Sequence, residues 1–316
     1  MAPSEVHVAC CFNVGHVPHV AALIESVSRS NRQAGVFLHL VVDGTVDPEL
    51  ERLLAEFCER RGLRMEFSRP PSALLSRLPP AGRYPPVIWY RVLLPELFPE
   101  LDRVIYLDGD TLVMQDLWPL WQTDLGPHLL GAIASPRSQS SNQRLAKLGI
   151  SPDQPFFNSG VLLLDLHAMR LSDICTEVFA VGTRRAAELH YPDQDALNLA
   201  CRERWLPLHP RWNALSWYFM PEGPGAPSPD LPHTVNEAIA SPAIIHFEGS
   251  GYAKPWNARS MHPFRHLYRE YRAGSPWPMK KAPRSWQALQ GRLQYRLQRA
   301  LTVLSSVLSA PSRRDS

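Results

Sequence analysis

Two aspartates separated by one residue follow an apolar run that has the composition of a buried β-strand. The run is RVIYL at residues 103–107, and Asp108, Gly109 and Asp110 come directly after it. Ligands of open α/β sheets bind beyond the carboxyl ends of the strands, so a binding site is expected here. Residues i and i+2 of an extended segment point the same way, and carboxylate oxygens bind hard divalent cations. The pattern predicts a cation site, with Gly109 leaving room for a ligand beside the backbone.

The alternative is a strand that ends in an Asp-Gly turn and opens a hairpin without binding anything. Two further motifs favour the cation site. Asn158 stands before the apolar run GVLLLDL at 160–166, and a polar amide at the start of a buried strand needs hydrogen-bond partners. Asp193, Gln194 and Asp195 come together at the start of a predicted helix, where N-capping would account for Asp193 alone.

A glycine-containing loop with a lysine follows the strand predicted at 243–247. His246 lies in that strand, and Gly249, Gly251 and Lys254 follow it. An imidazole nitrogen suits Mn²⁺, and an ammonium group suits a phosphate oxygen. Taken alone, His246 is equally compatible with a buried histidine whose hydrogen bonds are satisfied within the core.

Short apolar runs alternate with helical patterns through the first half of the chain, and this alternation predicts an α/β fold with a mostly parallel sheet covered by helices. The predicted strands are 6–12, 36–43, 63–67, 103–108, 129–134, 160–166 and 243–247. Residues 19–30 have the spacing of a helix, and Asp47-Pro48 predicts the start of a second helix that ends before Gly62. The Pro- and Gly-rich segment 223–232 predicts a loop.

Together and in this order, the four motifs resemble those of glycosyltransferase family 8, which includes bacterial lipopolysaccharide galactosyl- and glucosyltransferases and glycogenin. The similarity extends from about residue 6 to residue 256. It implies a GT-A fold, with a Rossmann-like central sheet flanked by helices. It also implies a retaining transfer of a hexose, glucose or galactose, from a UDP-sugar held through Mn²⁺ (or Mg²⁺). The acceptor would be a glycan or glycolipid such as lipopolysaccharide core.

The resemblance implies a role for individual residues of the donor site. Asp108, Asp110 and His246 would be the metal ligands. Lys254 and Gly249 would contact the diphosphate, and because the loop is longer than the family pattern, Gly251 is an alternative to Gly249. 

Further residues are implied around the sugar. Arg91 matches the family arginine that reaches the donor sugar and phosphate. Gly109 would be part of the donor site, and Asn158, Asp193 and Gln194 would line the sugar pocket. Gln194 would lie nearest the anomeric carbon, which makes it, with Asp193, the candidate catalytic residue.

Two positions depart from the family pattern. Asn13 stands where the family usually has an aspartate that recognises the uracil and ribose, and as a candidate donor-binding residue it could hydrogen-bond a base edge in its place. Ser135 stands where an aspartate commonly contacts the donor sugar. The second difference leaves the identity of the hexose open. Both differences are also compatible with an alternative function: a catalytically impaired glycosyltransferase fold that acts as a scaffold or binding protein through its basic tail.

The charge of the chain is unevenly distributed. Residues 254–316 contain thirteen lysines and arginines and two acids, whereas the rest of the chain contains 20 basic and 28 acidic residues. From Trp286 onward, leucines recur at three- and four-residue spacing with arginines between them, which predicts a basic amphipathic helix. We therefore divide the chain into a catalytic domain, 1–258, and a helical extension, 259–316. The extension would either contact an anionic membrane or pack on the body or on a second subunit.

Composition indicates a compartment and excludes some partners. Hydrophobic residues make up 45% and charged residues 20% of the 316 residues, which is typical of a soluble globular protein. We find no apolar run of the length that spans a bilayer and no signal-peptide pattern, so a cytoplasmic location is expected, and a peripheral contact at the inner face of the membrane is compatible with it. The five cysteines are irregularly spaced, which indicates reduced thiols. Without a recognition module, the basic tail does not indicate nucleic-acid binding.

Overall fold

A computed structural model describes residues 5–31, 35–220, 232–249 and 251–279. The predicted helix from Trp286 lies outside the described residues, and so does the predicted loop 223–232 except for its last residue. Within the described part of the chain, no helix is both long and apolar enough to cross a membrane.

The central layer is a seven-stranded sheet with the strand order β3-β2-β1-β4-β7-β6-β8. Neighbouring strands are parallel except where β7 is involved, so the predicted mostly parallel sheet is confirmed. Its strands are β1 (Glu5–Phe12), β2 (Gly35–Val42), β3 (Arg64–Ser68), β4 (Arg103–Leu107), β6 (Leu130–Ala134), β7 (Phe157–Asp165) and β8 (Trp205–Pro207). A smaller sheet has the order β5-β10-β9, formed by β5 (Thr111–Val113), β9 (Ala214–Leu215) and β10 (Ile244–His246).

Helices surround the central sheet. They are α1 (Val17–Ser30), α2 (Pro48–Glu59), α3 (Ser72–Leu75), α4 (Tyr90–Leu97), α5 (Trp118–Trp121), α6 (Gln139–Lys147), α7 (Leu166–Leu171), α8 (Ile174–Arg184), α9 (Pro192–Ala200), α10 (Ser216–Phe219), α11 (His233–Ala240) and α12 (Arg265–Ala273). The predicted start of α2 is confirmed, because the Asp47 carboxylate accepts a 2.8 Å hydrogen bond from the amide of Leu50 and Pro48 occupies the first turn.

Apolar side chains cover both faces of the central sheet, as expected for parallel strands that read as continuous hydrophobic runs. On one face, α1 and α2 pack on Val8, Leu40 and Ile105. On the other, α4, α7, α8 and α9 pack on Ala9 and Tyr106. The strands are therefore packed between two layers of helices, and this packing fixes the positions of the residues at the strand ends. The five cysteines are free and four of them are buried, in agreement with the sequence.

Strand β7 differs from its prediction in direction and extent. It runs antiparallel to β4 and β6, and it starts at Phe157, so that Asn158 lies inside the strand rather than before it. The register between β6 and β7 shifts next to Ala132 and Ile133, where Ile133 pairs with Asn158. This irregularity alters the backbone of β7 directly beside the end of β4, where the candidate site lies.

The small sheet brings β10 next to β5, which follows the end of β4 in the chain. Strand β10 pairs antiparallel with β5, and His246 lies opposite Thr111. Helix α12 then packs against α1, where Arg29 and Glu270 form a 2.8 Å ion pair. The first part of the extension predicted at 259–316 is thus packed on the body as far as it is described.

Candidate active site

The two aspartates lie in a turn rather than on an extended segment. Strand β4 ends at Leu107, and the amide of Thr111 donates a 3.1 Å hydrogen bond to the carbonyl of Asp108. The expectation of an i, i+2 pair on one face of a strand is therefore wrong. The turn does not open a hairpin either, because β4 pairs with β1 and β7 while β5 pairs with β10.

The reason for a glycine at position 109 also differs from the prediction. A Cβ on Gly109 would lie 2.9 Å from Cγ2 of Val20 in α1 and 3.8 Å from Sγ of Cys10. A real Cβ does not tolerate the first of these distances, so packing of the turn against α1 requires the glycine. The place of Gly109 in the donor site stays a prediction.

The three predicted metal ligands converge. One ligand atom from each of Asp108, Asp110 and His246 lies within 4.8 Å of the others. Nε2 of His246 is 3.3 Å from Oδ1 of Asp110 and 3.8 Å from Oδ2 of Asp108. Two carboxylates and one imidazole form a donor set that suits Mn²⁺, and the spacing leaves the three atoms free to share one ion.

Gly160 makes this convergence possible. A Cβ at that position would lie 2.2 Å from Cε1 of His246 and 2.7 Å from Oδ2 of Asp108. Its carbonyl accepts a 2.8 Å hydrogen bond from the amide of Asp108. Gly160 therefore leaves room for the side chains of His246 and Asp108, and its carbonyl holds the backbone of Asp108. The sequence did not indicate this role, although Gly160 lies two residues after Asn158.

A chain of amides orients His246. Its Nδ1 lies 3.0 Å from Oδ1 of Asn213, and Nδ2 of Asn213 donates a 2.9 Å hydrogen bond to Oδ1 of Asn158. Because an amide oxygen only accepts, a proton of His246 is placed on Nδ1, and Nε2 points towards the carboxylates. Asn213 is fully buried, and no sequence pattern around it indicated this role.

Arg91 lies behind the cluster instead of facing the cleft. Its guanidinium donates a 2.9 Å hydrogen bond to Oδ1 of Asp108 and hydrogen bonds of 2.8 and 3.0 Å to the carbonyl and hydroxyl of Ser159. Tyr106 donates a further 2.7 Å hydrogen bond to the same carboxylate oxygen. Arg91 is 8% exposed, so its direct action is to hold Asp108 in place.

The predicted catalytic pair is divided between the cleft and the interior. Asp193 is not the N-cap of α9 but lies in its first turn, where it forms a 3.1 Å ion pair with Nε of Arg91. Burial raises the pKa of Asp193, an effect that Arg91 opposes. Gln194 lines the cleft, and its Oε1 accepts a 3.0 Å hydrogen bond from the amide of Ser159, which fixes the orientation of its side chain.

Lys254 lies directly beside the acidic cluster. Its Nζ is 2.5 Å from Oδ2 of Asp110 and 2.7 Å from the carbonyl of Phe247. Burial opposes ionisation of Asp110, but Lys254 and His246 hold the pKa of this carboxyl well below its usual range. Asp110 is therefore a carboxylate at neutral pH, as a metal ligand must be.

The two loop glycines have left-handed backbone conformations, with φ of +88° at Gly249 and +57° at Gly251. Such values favour glycine whatever the ligand. Gly249 lines the cleft, which favours Gly249 over Gly251 as the residue next to the diphosphate.

A cleft of about 870 Å³ opens in front of these groups. Its walls include Asp108, Asp110, Asn158, Gln194, His246, Gly249, Lys254 and Ser135. Glu248 also lines it; this residue is part of the loop motif but was not singled out from sequence. Asn13 does not line the cleft. Its Oδ1 instead accepts a 3.1 Å hydrogen bond from the amide of Gly15 and caps the turn after β1.

Residues 7–260 match the sequence profile of glycosyl transferase family 8. The chain belongs to this family. It is 28% identical to General stress protein A of Bacillus subtilis (strain 168) over 277 residues, which cover 86% of this chain and 94% of that protein. It is 24% identical to the lipopolysaccharide 1,2-glucosyltransferase of Escherichia coli (strain K12), over 86% of this chain and 79% of that protein.

The fold of this family 8 glycosyltransferase is similar to that of the galactosyltransferase LgtC, solved with donor and acceptor sugar analogs. The TM-score is 0.71 at 23% identity, and the match covers 90% of this chain and 99% of LgtC. The predicted GT-A fold is thereby confirmed.

Proposed function

We propose that this chain is a retaining glycosyltransferase that transfers a hexose from a UDP-sugar, with Mn²⁺ or Mg²⁺ held by Asp108, Asp110 and His246. The observation that carries the proposal is the convergence of these three ligand atoms within 4.8 Å at the floor of the cleft. Lys254 lies at the same point. A cation site with an adjacent lysine fits the diphosphate of a nucleotide-sugar.

Departure of the nucleotide leaves negative charge on the diphosphate while the anomeric carbon becomes oxocarbenium-like. A bound divalent cation would neutralise part of that charge as it develops. Lys254 supplies a second positive charge, and on donor binding its ammonium group donates to a phosphate oxygen instead of Asp110. Arg91 and Tyr106 keep Asp108 fixed, so the site needs little rearrangement during the reaction.

Retention of configuration follows from the group that faces the sugar. Gln194 carries an amide, which is a poor nucleophile compared with a carboxylate. We therefore place the acceptor hydroxyl on the same face of the sugar as the leaving diphosphate. As the new glycosidic bond forms, the bond to the phosphate oxygen breaks, and that oxygen takes the proton of the acceptor hydroxyl.

The acceptor is a glycan or glycolipid, and lipopolysaccharide core fits this class. The 24% identity to a lipopolysaccharide 1,2-glucosyltransferase supports this assignment, as does the basic composition of the tail. An enzyme acting on such an acceptor would work in the cytoplasm, at the inner face of the membrane.

The proposal is tested by release of hexose from UDP-glucose and UDP-galactose with and without Mn²⁺. Asp108→Asn and Asp110→Asn should each lower the metal-dependent rate at least about a hundredfold, because each removes a charged ligand. Asp102→Asn is the matched control: Asp102 precedes the opposite end of the same strand and is 84% exposed, and its rate should equal that of the wild type.

Full activity of both variants in the presence of a chelator would refute the metal site. Absence of activity in the wild type with every UDP-sugar tested would favour the alternative, a glycosyltransferase fold that serves as a scaffold.

The stereochemical course provides an independent test. NMR of the product formed from an α-linked UDP-hexose should show an α-glycosidic linkage. A β-linked product would refute same-face attack and the role assigned to Gln194.

A further inference from the structure

Two groups of residues line the cleft. The metal end, which we call the floor, carries Asp108, Asp110, His246, Glu248 and Lys254. The other group is basic and aromatic, and we call it the basic-aromatic wall; it consists of Arg83, Tyr84, Arg137, Arg144, His190 and Tyr191. The metal and diphosphate assigned above account for the floor but not for the wall.

Five of the six members of the wall, all but Arg137, are connected by contacts with one another. Nη2 of Arg83 is 3.0 Å from the hydroxyl of Tyr84 and 3.4 Å from Nε2 of His190. The ring centroids of His190 and Tyr191 are 4.5 Å apart, and the guanidinium of Arg144 lies 5.3 Å from the ring of Tyr191. Tyr191 is 42% exposed, so an aromatic face is open to a ligand between the cations.

Only one of the three arginines is neutralised by the described part of the chain. Arg144 forms hydrogen bonds of 2.8 and 2.9 Å to both carboxylate oxygens of Asp195, which is fully buried. Neither Arg83 nor Arg137 forms an ion pair with any described carboxylate. Arg83 is exposed.

Arg137 has the environment of a cation that lacks its anion. Its Nε and Nη2 donate to Oδ1 of Asn142 at 2.7 Å and to the carbonyl of Ser151 at 2.8 Å, so both partners are neutral. Its Nη1 is buried and has no hydrogen-bond partner among the described residues. Burial and the nearby Arg144 lower the pKa of Arg137, an effect that the charge of Asp153 opposes without forming an ion pair. A guanidinium remains charged under these conditions, so an anion beside it would offset an unfavourable electrostatic energy.

We propose that the basic-aromatic wall binds a saccharide acceptor through an anionic substituent, a phosphate or a carboxylate, that pairs with Arg137 and Arg83. Guanidinium groups bind both anions with paired hydrogen bonds, and the faces of Tyr84 and Tyr191 cover the apolar side of the sugar ring. The inference rests on the proposed function, because the donor diphosphate is already assigned to the metal end and Lys254. The remaining unpaired cations then face the acceptor.

Saturation-transfer NMR on the full chain, loaded with UDP and Mn²⁺, tests this with glucose 6-phosphate, glucuronate and glucose. At low ionic strength the two charged sugars should bind about tenfold more tightly than glucose. Arg137→Gln should reduce the preference for charged over neutral sugars to less than about twofold. Arg83→Gln should reduce it by less, because Arg83 is exposed.

Arg184→Gln is the matched control, since Arg184 is exposed on α8 and does not line the cleft. This variant should prefer charged sugars as strongly as the wild type does.

Equal affinity of charged and neutral sugars, or a preference unchanged in both Arg137→Gln and Arg83→Gln, overturns the proposal. The donor is the other source of a carboxylate. Arg137-dependent preference for UDP-glucuronate over UDP-glucose, with no charge preference among the free sugars, would assign the wall to the donor and also overturn it. Repeating the titrations without UDP separates this proposal from the proposed function. Failure of UDP to bind would contradict the proposed function, whereas the titrations without UDP still measure the preference of the wall for charged sugars.

Discussion

At the residue scale, the metal cluster depends on the absence of a side chain at Gly160. The acids and the histidine approach each other across this position, and the space that a Cβ would need is taken by the His246 ring and the Asp108 carboxylate. Asp108, Asp110, His246 and Lys254 could be found from sequence because each belongs to a recognisable motif. Gly160 could not, because the close contact involves residues distant in the chain.

Replacing Gly160 with alanine should displace His246 and Asp108, because a Cβ at 2.2 Å from the ring cannot be accommodated. We expect metal-dependent hydrolysis of UDP-glucose to fall about a hundredfold, as happens when reacting groups move by about 1 Å. Gly44→Ala is the control, since no atom lies within 4 Å of its added Cβ. Circular dichroism would verify folding of both variants. Wild-type activity of Gly160→Ala would show that the cluster is not the metal site.

At the element scale, the turn between β4 and β5 is held against α1. Gly109 lies under Val20, and the amide of Val113 in β5 donates a 2.9 Å hydrogen bond to the hydroxyl of Ser26. Sequence patterns predicted β4 and α1 because each has its own apolar periodicity. They did not predict β5, β8 or β9, since two or three residues are too few to carry a pattern, whereas the equally short β10 lies in a longer apolar run, 243–247.

Gly109→Ala should destabilise the protein by about 1 to 3 kcal/mol through overpacking against Val20. Combining it with Val20→Ala should recover part of that loss, because the second change removes the methyl group that the new Cβ meets. Urea unfolding of both single variants and the double variant measures this coupling. Strictly additive free energies would show that the two positions are not in contact.

At the scale of the whole molecule, a mildly acidic body is joined to a strongly basic C-terminal segment. The described part of that segment, up to Met279, includes α12, which packs on α1. Residues 280–316 still contain eight lysines and arginines and one acid. Basic side chains near an anionic membrane contribute about 1 kcal/mol each, so this segment suits a peripheral membrane contact.

A variant that ends after Met279 should lose binding to vesicles containing anionic lipid, while its thermal unfolding temperature stays close to that of the full chain. Sedimentation with anionic and with neutral vesicles at two salt concentrations measures the binding, which should weaken with salt for the full chain. A large drop in unfolding temperature with unchanged vesicle binding would instead favour packing of the tail on the body or on a second subunit.

Local sequence by itself determined the parallel strands, the Asp47-Pro48 start of α2, the motif residues and their resemblance to a family. These features depend on neighbouring residues, so periodicity, capping and short motifs reveal them. The tertiary structure decided which of these residues meet. Lys254 and Asp110 are 144 residues apart and approach to 2.5 Å because β10 pairs with β5, a contact between two three-residue strands. It also placed Arg91 and Asp193 behind the cleft and left Arg137 in the cleft lining without an ion pair among the described residues, because burial and charge pairing depend on the packed chain.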